Sequence, residues 1–308
     1  MNDHVTISTF ELFKLFPDEE TARLYLESRI WPNGVRCPVC SAEQDRITTR
    51  KTAYYRCNDC KEDFTVRTGT IFERSHIPLH KWIYAMYLLV TARKGISSLQ
   101  LSKEIGITQK SAWFMLHRLR EACGGKNLKK LRGIVEVDET YIGGKEGNKH
   151  ESRKLHMGRG GVGKAIVVGL RERGGSVVAR HVSDADAANL HAEIYKHVEI
   201  GSTVNTDEAP VYADLGTLFF DHQTVNHSVG EFVRHQAGVN GIESVWAVLK
   251  RGLHGVYHQV SPKHLDRYVK EFTFRLNEGD VKRHTLARVD SMIRAAMGKR
   301  LTYERLTQ

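Results

Sequence analysis

Two cysteine pairs constrain this chain more than any other feature. Cys37-Pro-Val-Cys40 and Cys57-Asn-Asp-Cys60 stand sixteen residues apart in a sequence of 308. Each CxxC offers two thiolates on one tight turn. Two such knuckles at this separation predict a closed, four-thiolate structural zinc site. Four thiolates leave no open coordination position, which argues against a catalytic zinc. The residues between the pairs, Ile47-Thr-Thr49 and Tyr54-Tyr-Arg56, suit short strands, and Phe64-Thr-Val66 continues the pattern. A ribbon of this size has little core of its own, so metal binding would supply much of its folding energy. Two disulfides or an unmetallated thiol cluster are the competing readings, and a reducing cytosol disfavours the disulfides. Cys123 has no partner in the pattern and reads as a packed or surface thiol.

The formal charge is +10, with 46 Lys+Arg against 36 Asp+Glu. Resolved along the chain it is uneven: −1 over residues 1–80, +9 over 81–133, −4 over 134–239 and +6 over 240–308. Hydrophobic residues at 41% and charged residues at 27% exclude a wholly disordered chain. No apolar run approaches the ~18 residues of a membrane span. The start, Met1-Asn-Asp-His4, lacks the basic and apolar regions of a secretory signal, so a cytoplasmic location is expected.

Ser8–Phe16 and Asp18–Ile30 read as two short helices, the first opened by the capping box Ser8…Glu11 and the pair separated by Pro17. With the ribbon they make an N-terminal module over 1–80. The basic block 81–133 opens with an apolar helix, Trp82–Ala92. Leu101 and Ile105 then share one helical face, Gly106 permits a tight turn, Thr108 can cap a second helix, and Trp113, Leu116 and Leu119 form that helix's buried stripe. This order fits a helix-turn-helix. Its second helix would present Gln109, Lys110, Ser111, Phe114 and Arg118 to a DNA major groove. An ordinary helical hairpin is the alternative. The surrounding charge of +9 favours DNA, because phosphate neutralisation dominates such binding.

From residue 134 the pattern becomes mixed α/β. Strands are expected at Ile134–Ile142, Ala165–Leu170, Ser176–Val182, Ser202–Thr206 and Gln223–Val225, with helices at Ala187–Val198 and Gly241–Leu253. Three antiparallel strands, a helix, a strand, a helix, a strand and a helix is the element order of an RNase H-like fold. The whole is therefore an α+β multidomain chain: a zinc ribbon, a helix-turn-helix, a mixed α/β core over 134–280 and a basic helical tail over 281–308.

Metal-dependent phosphoryl transfer needs carboxylates that converge on two Mg²⁺ ions. Asp138 interrupts a β-branched strand, where an unpaired carboxylate is costly. Asp207 ends the fourth strand. Glu243 lies on the closing helix, whose apolar stripe is Ile242, Val245, Trp246 and Leu249, and it falls about 20° from Lys250 on the flank. Glu136 shares the face of Asp138 and is a fallback, while Glu139 points the other way. Glu208 and Glu231 are weaker alternatives, and Asn240 could assist in ligation or DNA contact. Gly158-Arg-Gly-Gly-Val-Gly-Lys164 spells most of a phosphate-binding loop, but Ala165 follows and a strand comes next, so it reads better as a basic loop with Lys145, Lys149, Arg153, Lys154 and Arg159.

Taken together, Trp31-Pro-Asn-Gly34, the two CxxC pairs, Arg67–Phe72, Val135–Lys145, Val225–Ser228, Asn240–Gly252 and Val269–Asn277 resemble the bacterial insertion-sequence transposases of the ISXO2-like type, with an N-terminal zinc ribbon and an RNase H-like DDE core. The resemblance runs from about residue 20 to 280. It implies that Asp138, Asp207 and Glu243 take the three DDE positions, with thirty-five residues between the last two. It also implies structural zinc, two catalytic Mg²⁺, double-stranded DNA as partner, and a homodimer or larger assembly that holds both element ends. Two other readings use the same parts: a non-catalytic DNA-binding regulator, and a nuclease without strand transfer.

Overall fold

The computed structural model describes residues 5–125, 129–144, 146–148, 150–154, 161, 163–217, 221–225 and 238–308. The chain divides into two compact units, Met1–Gly125 with Glu278–Gln308, and Lys126–Asn277.

In the first unit, α1 (Thr9–Leu15) is opened by the expected capping box. Ser8 Oγ accepts from Glu11 N, and Glu11 Oε2 accepts from Ser8 N. Asp18 caps α2 (Glu19–Ile30) by accepting from Thr21 N. The ribbon sheet is β1 (Ile47–Lys51), β2 (Tyr54–Cys57) and β3 (Asp63–Phe64), antiparallel throughout. Its small core is aromatic, with Trp31 edge-on to Tyr55 and Phe64. Such a core is too small to order a ribbon unaided.

The helical part of this unit is α3 (Leu79–Thr91), α4 (Ser98–Ile105), α5 (Gln109–Cys123), α9 (Thr285–Ala296) and α10 (Tyr303–Thr307). α3 is buried along most of its length, including Trp82, Ile83, Met86 and Leu89. α9 packs on α2, α3 and α5 through a face that includes Val289, Met292 and Ile293. Residues 281–308 were expected as a tail. They are instead part of the body of this unit, and their apolar spacing on α9 is the reason.

The second unit is a five-stranded sheet of β4 (Ile134–Ile142), β5 (Ala165–Glu172), β6 (Val177–Val182), β7 (Thr203–Asp207) and β8 (Asp221–Val225). The strand order is β6-β5-β4-β7-β8, the first three antiparallel and the last two joining parallel. This is the RNase H-like arrangement expected from the element order. Alternation along β4 sends Val135 and Val137 to one face and Glu136, Asp138 and Thr140 to the other. The first face packs on α6 (Ala187–His197) through Leu190 and Ile194. The second packs on α7 (Asn240–Gly252) and α8 (Pro262–Asn277) through Ile242, Val245, Trp246, Leu249, Leu265 and Phe272.

Candidate metal centres and nucleic-acid interface

The four cysteine sulfurs meet. Sγ atoms of Cys37 and Cys60 are 3.6 Å apart and those of Cys40 and Cys57 are 3.5 Å apart. All four lie within 4.8 Å of one another. Disulfide sulfurs sit ~2.05 Å apart, so neither pair is bonded. A tetrahedron with Zn–S of ~2.3 Å has sulfurs roughly 3.8 Å apart, which these positions fit. The two knuckles are the same turn built twice. The residues after Cys40 and Cys60 are Ser41 at φ 64° and Lys61 at φ 62°. The donor set and its spacing suit a structural zinc.

The helix-turn-helix is also present. Gly106 takes φ 61°, a left-handed conformation that suits glycine, and Ile107 N donates to Ser102 O to close α4. Thr108 Oγ1 accepts from Ser111 N and starts α5. Leu101, Ile105, Leu116 and Leu119 are buried as expected. Two side chains differ. Trp113 is half-buried against the His117 ring, and Ala112, Met115 and Ala122 share the buried face instead. Arg118 does not face a groove. It is 8% exposed, its guanidinium donates to the carbonyls of Ile71, Glu73 and Leu301, and it stacks on Phe114. α5 is flanked by α4 and α9, so it buries a wider arc than one stripe, and the backbone at 71–73 and Leu301 takes Arg118 inside. Gln109 and Lys110 remain exposed at the N-terminal end of α5, beside half-buried Ser111. Lys110 Nζ sits over the Tyr303 ring.

In the second unit, β4 and β7 run parallel with Glu136 opposite Asn205. Two residues further along each strand, Asp138 and Asp207 end on the same face of neighbouring strands, toward α7. Trp246 Nε1 donates to Asp138 Oδ2 at 2.8 Å. Burial pushes the Asp138 carboxyl up to about 7, with the charges of Glu139 and Asp207 adding to the rise and the Trp246 hydrogen bond opposing it. Burial likewise raises Glu139, which accepts from Tyr212 Oη at 2.6 Å. Asp207 Oδ1 accepts from Ala209 N. Among the described residues, no ion pair engages Asp138, Glu139 or Asp207. Asp138 and Asp207 are half-buried on one face, and the Asp207 charge raises the cost of ionising Asp138. A divalent metal would compensate that cost, so these two donors fit one, while Glu139 lies on the other face.

Glu243 is exposed on α7, as is Lys250 two turns later. Lys250 lines a cleft of about 480 Å³ with Tyr141, Ile142, Gly143, His254 and His258. A π-helical turn, Leu253–Tyr257, leads to His258 at φ 58° along its wall. The fallback Glu136 is otherwise engaged: it is 4% exposed, pairs with Arg173 at 3.2 Å and accepts from Ile242 N at 2.9 Å, at the start of α7. Glu208 and Asn240 are exposed. Glu231, residues 226–228, Lys145, Lys149 and Arg159 lie outside the described residues. Sequence reasoning missed the Trp246–Asp138 hydrogen bond. One signal was available, a glycine inside the β-branched run Ile166-Val-Val-Gly169, which often marks close approach of another group.

Among the described residues, no helix is long and apolar enough to cross a membrane. Residues 130–277 match the ISXO2-like transposase domain, and residues 17–63 match the transposase zinc-ribbon domain. The chain is 32% identical over 279 residues to an uncharacterized protein in transposable element ISH50 of Halobacterium salinarum, covering 85% of this chain and 92% of that protein. Among solved structures, a simian T-cell lymphotropic virus intasome in complex with PP2A regulatory subunit B56 gamma aligns with 61% of this chain and 68% of its own, at 15% identity and a TM-score of 0.28. The Mos1 strand transfer complex aligns with 64% and 76%, at 12% identity and a TM-score of 0.21. With matches to both modules and a relative along most of its length, the chain belongs to the ISXO2-like transposase family.

Proposed function

We propose that this chain is the transposase of an insertion sequence, binding the element's terminal inverted repeats and catalysing DNA cleavage and strand transfer. The observation that carries this reading is the placement of Asp138 and Asp207 on one face of two neighbouring parallel strands, beneath the helix that bears Glu243. Asp138, Asp207 and Glu243 would hold two Mg²⁺. When bound, Mg²⁺ would supply an activated water and stabilise the leaving oxygen of an in-line displacement.

The chain's own groups would orient the DNA. Lys250, His254 and His258 line one cleft and would hold the strand's backbone as it passes β4. Gln109, Lys110 and Ser111 would approach base edges at the N-terminal end of α5, with Arg118 maintaining that helix from inside. Hydrolysis of one phosphodiester leaves a 3′-OH and a 5′-phosphate. That hydroxyl then displaces a 3′-oxygen in target DNA, so one P–O bond forms for each one broken and no outside energy source is needed. Holding both ends for this exchange calls for a dimer or larger assembly acting on DNA in the cytoplasm, at the nucleoid.

The test uses the full chain, Mg²⁺ and a labelled element-end duplex. Wild type is expected to cut and to join the cut end to a second duplex. Asp138→Asn and Asp207→Asn should bind equally well and neither cut nor join. Binding without cutting in the wild type would make it a regulator. Cutting that never yields a joined product would make it a nuclease.

A further inference from the structure

The indole of Trp246 lies where a strand side chain would normally stand. Asp138 on β4 pairs directly with Gly169 on β5. A Cβ at position 169 would lie 2.4 Å from Trp246 Cη2, 2.5 Å from Trp246 Cζ2 and 2.9 Å from Ile242 Cδ1. No side chain larger than hydrogen fits there while the indole is in place. With its six-membered ring resting on Gly169, Trp246 is only 5% exposed and its N–H points at the carboxylate one strand over.

An indole N–H is a donor with no acceptor function, and it serves a carboxylate only when that group is ionised or offers its carbonyl oxygen. The bond occupies one lone pair of Oδ2 and fixes rotation about the Asp138 Cβ–Cγ bond. Oδ1 and the remaining lone pair of Oδ2 keep a set direction.

We propose that Trp246 is a positioning residue for Asp138, and that Gly169 is the gap in the sheet that allows it to act. The pair holds the carboxylate in one orientation, ready for a divalent cation. The proposal rests on the reading of Asp138 as a metal ligand. Partners that orient a ligand in this way typically govern metal affinity by 10–100-fold.

The experiment is Mn²⁺ binding to the zinc-loaded full chain, followed by electron paramagnetic resonance without DNA. Trp246→Phe keeps an apolar ring and removes the donor. Gly169→Ala keeps the indole and displaces it. Each is expected to weaken Mn²⁺ binding about 10–100-fold, and the double variant about as much as either alone. Asp138→Asn should lose the site. Loss in Asp138→Asn with both other variants within about twofold of wild type would overturn the positioning role and leave the ligand reading standing. Undiminished binding in Asp138→Asn would overturn the ligand reading itself. A second readout needs no variant at the tryptophan: in ¹⁵N-labelled protein, the Trp246 indole N–H signal should move in Asp138→Asn and on Mg²⁺ titration of wild type. A signal indifferent to both would also overturn the proposal.

Discussion

The four cysteines lie within 4.8 Å of one another, whereas Asp138, Asp207 and Glu243 form no such group among the described residues. The difference follows from how each set is assembled. The thiols come from two knuckles of one local turn, so ligand geometry is nearly complete once a short hairpin closes. The carboxylates come from β4, β7 and α7, with Glu243 out in solvent. A closed site holds its ion as a staple. Carboxylates drawn from three separate elements have no such local closure, and the half-buried ones, Asp138 and Asp207, are left without a cationic partner among the described residues.

Removing the staple should have the largest effect. Structural zinc in small domains contributes roughly 10–16 kcal/mol of apparent folding energy. Cys57→Ser, or treatment with a strong chelator, is expected to abolish the ribbon's cooperative unfolding while leaving the melting of the second unit intact. Limited proteolysis with mass spectrometry reads this directly, and a ribbon that stays protected without zinc would break the contrast.

Glu136 comes next. It pairs with Arg173 and accepts from Ile242 N, so Glu136→Ala strips a buried N–H of its acceptor. The second unit should lose about 2–4 kcal/mol in urea unfolding. An unchanged midpoint would mean that the start of α7 does not depend on this carboxylate.

Asp138 should act in the opposite direction. Its carboxyl, pushed up to about 7 from an ordinary 3.8, retains in the native state a proton that the unfolded chain releases between those values. Its contribution to stability therefore falls as pH rises from about 4 to 7 and stays lost above. Asp138→Asn removes that ionisation. In metal-free protein the variant should melt a few degrees higher at pH 8, about 2–4 °C per kcal/mol, and match wild type near pH 4 by differential scanning calorimetry. Equal melting at pH 8 would show that ionising Asp138 costs the metal-free fold nothing.

The smallest effect is expected at Glu243. An exposed carboxylate on a helix flank contributes within about 0.5 kcal/mol, so Glu243→Gln should leave metal-free stability unchanged. A larger loss would place it inside the fold's polar network and narrow the contrast with Glu136.

What could be read from sequence divides along the same line. The knuckles, the Ser8 capping box, the Thr108 cap and the span of β4 depend on neighbours within a few residues, and local spacing specifies them. Periodicity likewise found the stripe of α7, because one broad face of that helix meets the sheet. Arg118 escaped because the carbonyls that hold it come from Ile71, Glu73 and Leu301, and no periodicity in 109–123 encodes those neighbours. The Trp246–Asp138 bond joins residues 108 apart. Only Gly169 hinted at it, and a strand glycine does not say what fills the space above it.

The first unit is made from both ends of the chain, with the second unit spliced between Gly125 and Glu278. Truncation therefore has a consequence that a bead-on-a-string order would not produce. A stop codon after Asn277 would not leave the first unit intact. It would delete α9, expose the faces of α3 and α5 that α9 covers, and leave Arg118 without its Leu301 carbonyl. Such a copy should be cleared by proteolysis rather than persist.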